Sequence, residues 1–222
     1  MSTKSFTPRT EIFPPAQAAL WPHLGAQIPT SFTLYGGTAL ALQLGHRQSV
    51  DFDFFGPAFD PDALLRDLPF LVGADIVQRA PSTLTVRIDR GGPVLVSFFG
   101  VPDLARVERP LRADDNGLLV AGLVDIAGMK VSVVQKRAAL KDYIDVAAVI
   151  GAGVDLATAL AAARAIYGDS FNPQISLKAL SYFDDVRELP ENTKRLLQDS
   201  VRAVNLNDLP SLNTVGKIGS PP

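Results

Sequence analysis

The sequence contains no cysteine. That excludes disulfides and thiolate metal sites and fits a reducing compartment. Histidine is scarce too: His23 and His46 stand alone, which argues against a His-rich zinc centre. Neither sign of charge dominates. With 21 basic against 23 acidic residues, the net charge of -2 is not that of a basic nucleic-acid coat protein, although a local basic groove stays open. Long apolar runs are missing, and a stretch such as Val146–Ile150 is too short to span a bilayer. The N-terminus lacks a charged segment followed by an apolar run, so no signal peptide is expected. Internal repeats and low-complexity tracts are also absent. The expectation is a soluble, cytoplasmic protein with no membrane partner.

What is present is enough for a sizeable core: 222 residues, 47% of them apolar, suit one domain with an appendage or two small domains. Met1–Pro15 is polar and proline-punctuated and is expected to be loosely docked. Ala16–Leu24 reads as a helix anchored by Trp21, with Pro22 limiting its regularity. Phe32–Tyr35 reads as a strand, Thr38–Leu44 as a helix stopped by Gly45, and Val50–Phe55 as a strand. Asp60 and Pro61 have the chemistry of a helix cap and first helical position for Phe59–Leu68. Strands are expected at Asp75–Arg79, Thr83–Ile88 and Val94–Phe99, the last two joined by a turn at Asp89–Gly92. After Gly122 the composition turns helical. Helices are expected over Leu123–Leu140, Lys141–Ile150, Leu156–Tyr167, Asn172–Leu189 and Glu191–Val204, then a loose tail from Leu209. Strands first and helices later predict an α+β fold, divided into residues 1–122 and 123–222.

Two neighbouring features carry chemistry. Gly36 and Gly37 lie between a strand and a helix, where bare backbone N–H groups can meet phosphate oxygens and Thr38 adds a hydroxyl. The plain alternative is a tight turn. On the strand that follows, Val50, Phe52 and Phe54 point one way, while Asp51 and Asp53 point the other. Carboxylates two apart on one face can bracket metal ions for in-line phosphoryl displacement, and oxygen-only ligands suit Mg²⁺ or Mn²⁺. The plain alternative is a solvated acidic face, but like charges flanked by Phe52, Phe54 and Phe55 repel unless a cation joins them.

Gly-Gly, a short helix, a polar loop with Arg47 and Ser49, then the acidic strand form a specific order. It resembles the nucleotidyltransferase superfamily. More closely, GGTALAL followed by HRQSVDFDFF resembles the AbiEii/AbiGii toxin family of abortive-infection and toxin–antitoxin systems. The family's later pattern of a helical lysine, an arginine and a Lys-Asp pair is matched by Lys130, Arg137 and Lys141-Asp142, with Asp145 three residues on. The resemblance covers roughly Leu34–Ile150. It implies a nucleotidyltransferase-like mixed sheet with flanking helices in 1–122, and a helical region in 123–222 that completes the active-site cleft. On a helix, Lys130 and Arg137 share a face, while Asp142 and Asp145, three apart, share another.

The implied activity is Mg²⁺-dependent transfer of a nucleoside monophosphate from an NTP to an acceptor, in some relatives the 3′ end of tRNA. Gly36, Gly37, Thr38, Ser49, Arg47 and Arg137 would bind the nucleotide, and Asp51 and Asp53 the metal. Lys130 would steady the transferred charge, and Asp142 would act as a base or orient Lys130. A basic cluster at Lys130, Lys136, Arg137 and Lys141 is a candidate RNA contact, and a cognate antitoxin is an implied partner. One departure stands out: many nucleotidyltransferases carry a third carboxylate on a later strand, where Val94–Phe99 offers Ser97. The alternatives are therefore a catalytically weak binding module of the same fold, or a phosphotransferase acting on a small molecule.

Overall fold

The computed structural model describes residues 3–220. The chain divides into two units. One comprises the chain up to Leu104, Arg109–Gly122 and the stretch from Gly216; the other comprises Ala105–Glu108 and Leu123–Val215.

The first unit holds strands β1 (Ser5–Phe6), β2 (Thr33–Tyr35), β3 (Asp51–Gly56), β4 (Asp75–Ala80), β5 (Thr83–Asp89) and β6 (Pro93–Gly100). After β7 (Ala105–Arg106), which belongs to the second unit, come β8 (Leu111–Ala113) and β9 (Leu119–Val120). Helices α1 (Pro15–Gln27), α2 (Gly36–Leu44) and α3 (Pro61–Asp67) complete the unit. Its eight strands form one mixed sheet in the order β1-β8-β9-β2-β3-β6-β5-β4, the mixed α+β architecture expected from the sequence. The centre is antiparallel between β2 and β3, parallel between β3 and β6, and antiparallel again between β6 and β5.

Alternation along these strands sorts their side chains. Phe52 and Phe54 of β3, Val96 and Phe98 of β6, and Leu84 and Val86 of β5 have no solvent exposure. Trp21 of α1 stacks on Phe52 with ring centroids 6.3 Å apart, and Phe13 closes on both rings. Each such ring removes a large apolar area from water, which drives this face of the sheet inward. Asp51, Asp53 and Ser97 are on the opposite face.

Several expectations need correction. The N-terminal segment is docked, not loose: β1 pairs in parallel with β8, and Ile12 and Phe13 are buried. The polar composition hid these two apolar residues, of which Phe13 packs against Trp21 and Phe52. Met1 and Ser2 lie outside the described residues. The tail is docked as well, since Ile218 is buried and its N–H donates to Leu104 O at 2.8 Å; Pro221 and Pro222 lie outside the described residues. Val50 does not join the inward face: the strand starts at Asp51, and Val50 is 55% exposed. Helix α1 runs through Pro22, and Trp21 is buried as expected.

The second unit contains α4 (Leu123–Val133), α5 (Leu140–Gly151), α6 (Leu156–Tyr167), α7 (Pro173–Ala179) and α8 (Glu191–Ala203). Helices α4 and α6 meet through small residues. A β-carbon on Gly128 would fall 2.9 Å from the backbone nitrogen of Ala163, a spacing that only a glycine permits. The expected helix over Leu123–Leu140 is shorter than its composition suggested, because the β-branched run Val131, Val133, Val134 weakens helix propensity. Beyond α4, the Gln135 amide donates to Asn172 O and to Ser176 Oγ. Arg137 therefore lies in a loop, and the shared helix face inferred for Lys130 and Arg137 does not exist. Helix α7 likewise covers only part of the expected Asn172–Leu189 span. Among the described residues, no single helix is long and apolar enough to cross a membrane.

Candidate active site

Strand β2 delivers the chain to Gly36, whose φ of +74° is open chiefly to glycine. The bareness of the pair is used. A β-carbon on Gly36 would sit 2.7 Å from Oδ2 of Asp53, and one on Gly37 would sit 2.4 Å from Nη2 of Arg47 and 3.1 Å from Oγ of Ser49. The two glycines, Asp53, Arg47 and Ser49 are thus one cluster at the start of α2.

The β2–β3 register explains the meeting: Tyr35 pairs with Asp53, so the glycine following Tyr35 comes up against the carboxylate. Both glycines and Asp51, Asp53 and Arg47 are half-buried. Thr38 is different. It is buried, and its hydroxyl donates to the carbonyl of Asp51. The Thr38 and Ser49 hydroxyl oxygens are 2.9 Å apart. A hydroxyl has one proton, so Ser49 completes that pair and both side chains are engaged internally. Gln17 Nε2 also donates to Ser49 O at 3.1 Å. The structure gives Thr38 and Ser49 the work of pinning α2 and the following loop to β3, not the phosphate-facing position expected of Thr38.

Asp51 and Asp53 are two apart on the non-core face, as the alternation predicted. Asp53 is in register with Ser97 of β6, and Ser97 with Thr85 of β5, whose hydroxyl donates to Ser97 Oγ at 3.2 Å. Ser97 thus stands next to Asp53 in the position where a third carboxylate was sought. Among the described residues, no group of three or more His, Cys, Asp or Glu could hold a metal ion. The divalent cation that the family implies has an oxygen-only donor set here, Asp51 and Asp53 on one face of β3.

The second unit gathers Lys130, Arg137, Asp142 and Asp145. Lys130 Nζ lies 3.0 Å from Oδ1 of Asp142 and 2.6 Å from Oδ2 of Asp145, with both carboxylates fully buried. Arg137 grips Asp142 from the loop, with Nε 2.7 Å from Oδ2 and Nη2 3.2 Å from Oδ1. Two positive and two negative charges cancel here. Burial pushes the Asp142 carboxyl up, but Arg137's hydrogen bond, together with Lys130's charge and hydrogen bond, outweighs it and holds the group below the usual carboxylate range. Such a carboxylate is a poor proton acceptor, so of the two roles expected for Asp142 the geometry favours orienting Lys130. Lys130 is buried, so it cannot belong to an exposed basic patch; Lys136, Arg137 and Lys141 are exposed, with Arg137 committed in part to Asp142.

Asp125 escaped the reading of the sequence as a working group. Its buried carboxylate accepts the N–H groups of Val107 at 2.9 Å and Glu108 at 3.0 Å, while the Glu108 carboxylate accepts Val124 N–H at 3.0 Å at the start of α4. Burial pushes the Asp125 carboxyl up to about 6, against the pull of those two N–H groups. Only its acidic position in the first turn of a helical run hinted at this role.

A mixed sheet with a Gly-Gly helix start against a paired-aspartate strand defines a nucleotidyltransferase-type fold, and comparison with solved structures agrees. The MenT4 nucleotidyltransferase toxin of Mycobacterium tuberculosis superposes with a TM-score of 0.62 at 16% identity, over 86% of this chain and 83% of that one. An antigenic nucleotidyltransferase-like protein of Paracoccidioides brasiliensis gives 0.55 at 16% identity, over 89% and 94%. At that identity the likeness is one of fold. Family membership rests on sequence: the family described as "Nucleotidyl transferase AbiEii toxin, Type IV TA system" matches residues 26–215. The chain belongs to this nucleotidyl transferase toxin family. It is also 33% identical over 165 residues to an uncharacterized protein of Aquifex aeolicus, covering 72% of this chain and 78% of that one.

Proposed function

We propose that this family member transfers a nucleoside monophosphate from an NTP to an acceptor. The observation that carries the reading is the Asp53 carboxylate set against bare Gly36, with Arg47 and Ser49 against Gly37. The backbone N–H groups of Gly36 and Gly37 and the guanidinium of Arg47 would receive phosphate oxygens. Thr38 and Ser49 hold that loop to β3. Asp51 and Asp53 would hold Mg²⁺ or Mn²⁺, which when bound supplies positive charge to the phosphoryl oxygens. Lys130 and Arg137 would offset the charge of the transferred group, with Asp142 keeping them in place.

The acceptor we favour is an RNA 3′ end such as that of tRNA, supported by exposed Lys136 and Lys141 beside Arg137. A cognate antitoxin is the expected partner, and a small DNA-binding protein encoded next to this chain would support it. Isothermal titration with NTP and Mn²⁺ tests the reading: metal-dependent NTP binding is expected, weakened strongly in Asp51→Ala. Absence of such binding in the wild type would sink it.

A second reading, a catalytically weak binding module, is favoured by Ser97 and by the charge-neutral cluster at Lys130. It predicts NTP binding without transfer.

A further inference from the structure

We infer that Gln135 and Ser176 are positioning residues for the nucleotide. They fix the turn after α4 that lays the Arg137 guanidinium against Asp142, and loosening that turn weakens NTP binding through Arg137. This rests on the reading of Arg137 as a residue that meets the charge of the transferred group.

The break in the helix has a visible cause. In a continuing α4, Val131 O would accept the N–H of Gln135, four residues on. Instead the Ser176 hydroxyl donates to Val131 O at 2.5 Å, and the Gln135 N–H turns to Ser132 O at 3.3 Å. The next N–H, of Lys136, likewise reaches back three residues, to Val133 O at 2.9 Å, and bonds of this reach mark a tightening helix end. The Gln135 side chain then ties the turn to α7. Both of its amide protons are spent there, one on Asn172 O at 2.8 Å and one on Ser176 Oγ at 2.7 Å. These acceptors are anchored themselves: Ser176 has no solvent exposure, and the Asn172 side chain caps α7 by accepting Gln174 N–H at 3.0 Å. Downstream the hold is weak. Lys136, Arg137 and Ala138 are exposed, so packing does not restrain the stretch that carries the guanidinium. From Gln135 to Leu140 the residues are good helix formers, and untied they can continue α4. Arg137 would then leave the place from which its Nε meets Asp142 Oδ2 at 2.7 Å.

Nuclear magnetic resonance of the ¹⁵N-labelled full chain tests the positioning apart from any activity. The Arg137 Nε–H signal, identified by its absence in Arg137→Lys, should exchange slowly with water in the wild type. In Gln135→Met, which keeps the bulk and loses both donors, it should exchange about tenfold faster or more. Titration with NTP and Mn²⁺ reads the consequence. Gln135→Met and Arg137→Ala should each weaken NTP binding by about tenfold, the worth of one charge-assisted hydrogen bond. The double variant should bind no more weakly than Arg137→Ala alone, because the first substitution acts only through the second residue. Slow exchange retained in Gln135→Met would overturn the inference. So would losses that add in the double variant, as a general loosening of the fold would give. If Gln135→Met does not fold, Gln135→Glu, alike in size and without a donor at neutral pH, is read in its place. A wild type that binds no NTP, or an Arg137→Ala variant that binds it as well as the wild type, would instead strike the underlying reading of Arg137, with the exchange rates unaffected.

Discussion

Asp53 and Asp142 are both aspartates on regular elements, yet their surroundings differ in kind. Asp53 is half-buried on a strand, against a glycine with no side chain, in a cluster whose donors are backbone N–H groups and an arginine. Asp142 is fully buried on a helix and held by Lys130 and Arg137, with Asp145 sharing the lysine. The first cluster is half-buried and gathered around bare backbone. The second is internally neutral, with most of its hydrogen-bonding capacity spent within the protein. Substitutions at the first should therefore be felt in chemistry, and substitutions at the second in stability as well.

The largest effect should come from Asp53→Ala. Transfer is expected to fall by about 10³–10⁴-fold, the loss of on the order of 4–5 kcal/mol of transition-state stabilisation, with urea denaturation little changed. A destabilised fold would break the contrast with Asp142. Next, Asp142→Ala should cost about 3–5 kcal/mol in urea denaturation, because Lys130 is left buried against one carboxylate. An Asp142→Ala variant as stable as the wild type would show that the cluster is not the stabilising knot described.

The dependence on pH sharpens the comparison within the second unit. Asp125 holds its proton more tightly folded, at about 6, than at its ordinary 3.8. Its contribution therefore favours the fold below pH 3.8 and is lost as pH rises through about 6, a swing of at most about 3 kcal/mol. Asp142 has the opposite sign: its contribution is present above the ordinary value and is lost as pH falls through its lowered one. Urea denaturation between pH 4 and 7 should show a flatter slope in Asp125→Asn, although the variant is weaker overall for want of one acceptor.

Smaller still, Gly36→Ala should cost about 1–3 kcal/mol, since its φ of +74° is strained for alanine and Asp53 is in the way. Gly37→Ala meets only the flexible end of Arg47 and the Ser49 hydroxyl, and should weaken NTP binding in titration more than it alters stability.

Much of the first cluster was legible because its logic is local. A strand, two glycines and an alternating acidic strand put Gly36 near Asp53 once β2 and β3 pair, and that pairing joins segments close in sequence. The cap at Asp60 and the Asp89 turn were equally readable, with side chains accepting nearby N–H groups. Pairing over long separations was not legible, and β1, two residues long, finds β8 more than 100 positions away. The second cluster was half legible. Lys130, Arg137 and Asp142 were named, but with Lys130 and Arg137 on one helix; the break after Val133 brings Arg137 to Asp142 from a loop. Burial of Lys130, Asp142 and Asp145 is a tertiary outcome that charged residues on helical segments do not announce, and Lys130 was misplaced on the surface for that reason.

The central claim, that the first cluster serves transfer of a nucleoside monophosphate, is tested most directly by incubating the protein with Mg²⁺, RNA acceptor and NTP labelled at either the α or the γ phosphate. The account predicts label on the acceptor from the α position only, and none with Asp53→Ala. Label arriving only from the γ position would contradict it and point to a phosphotransferase.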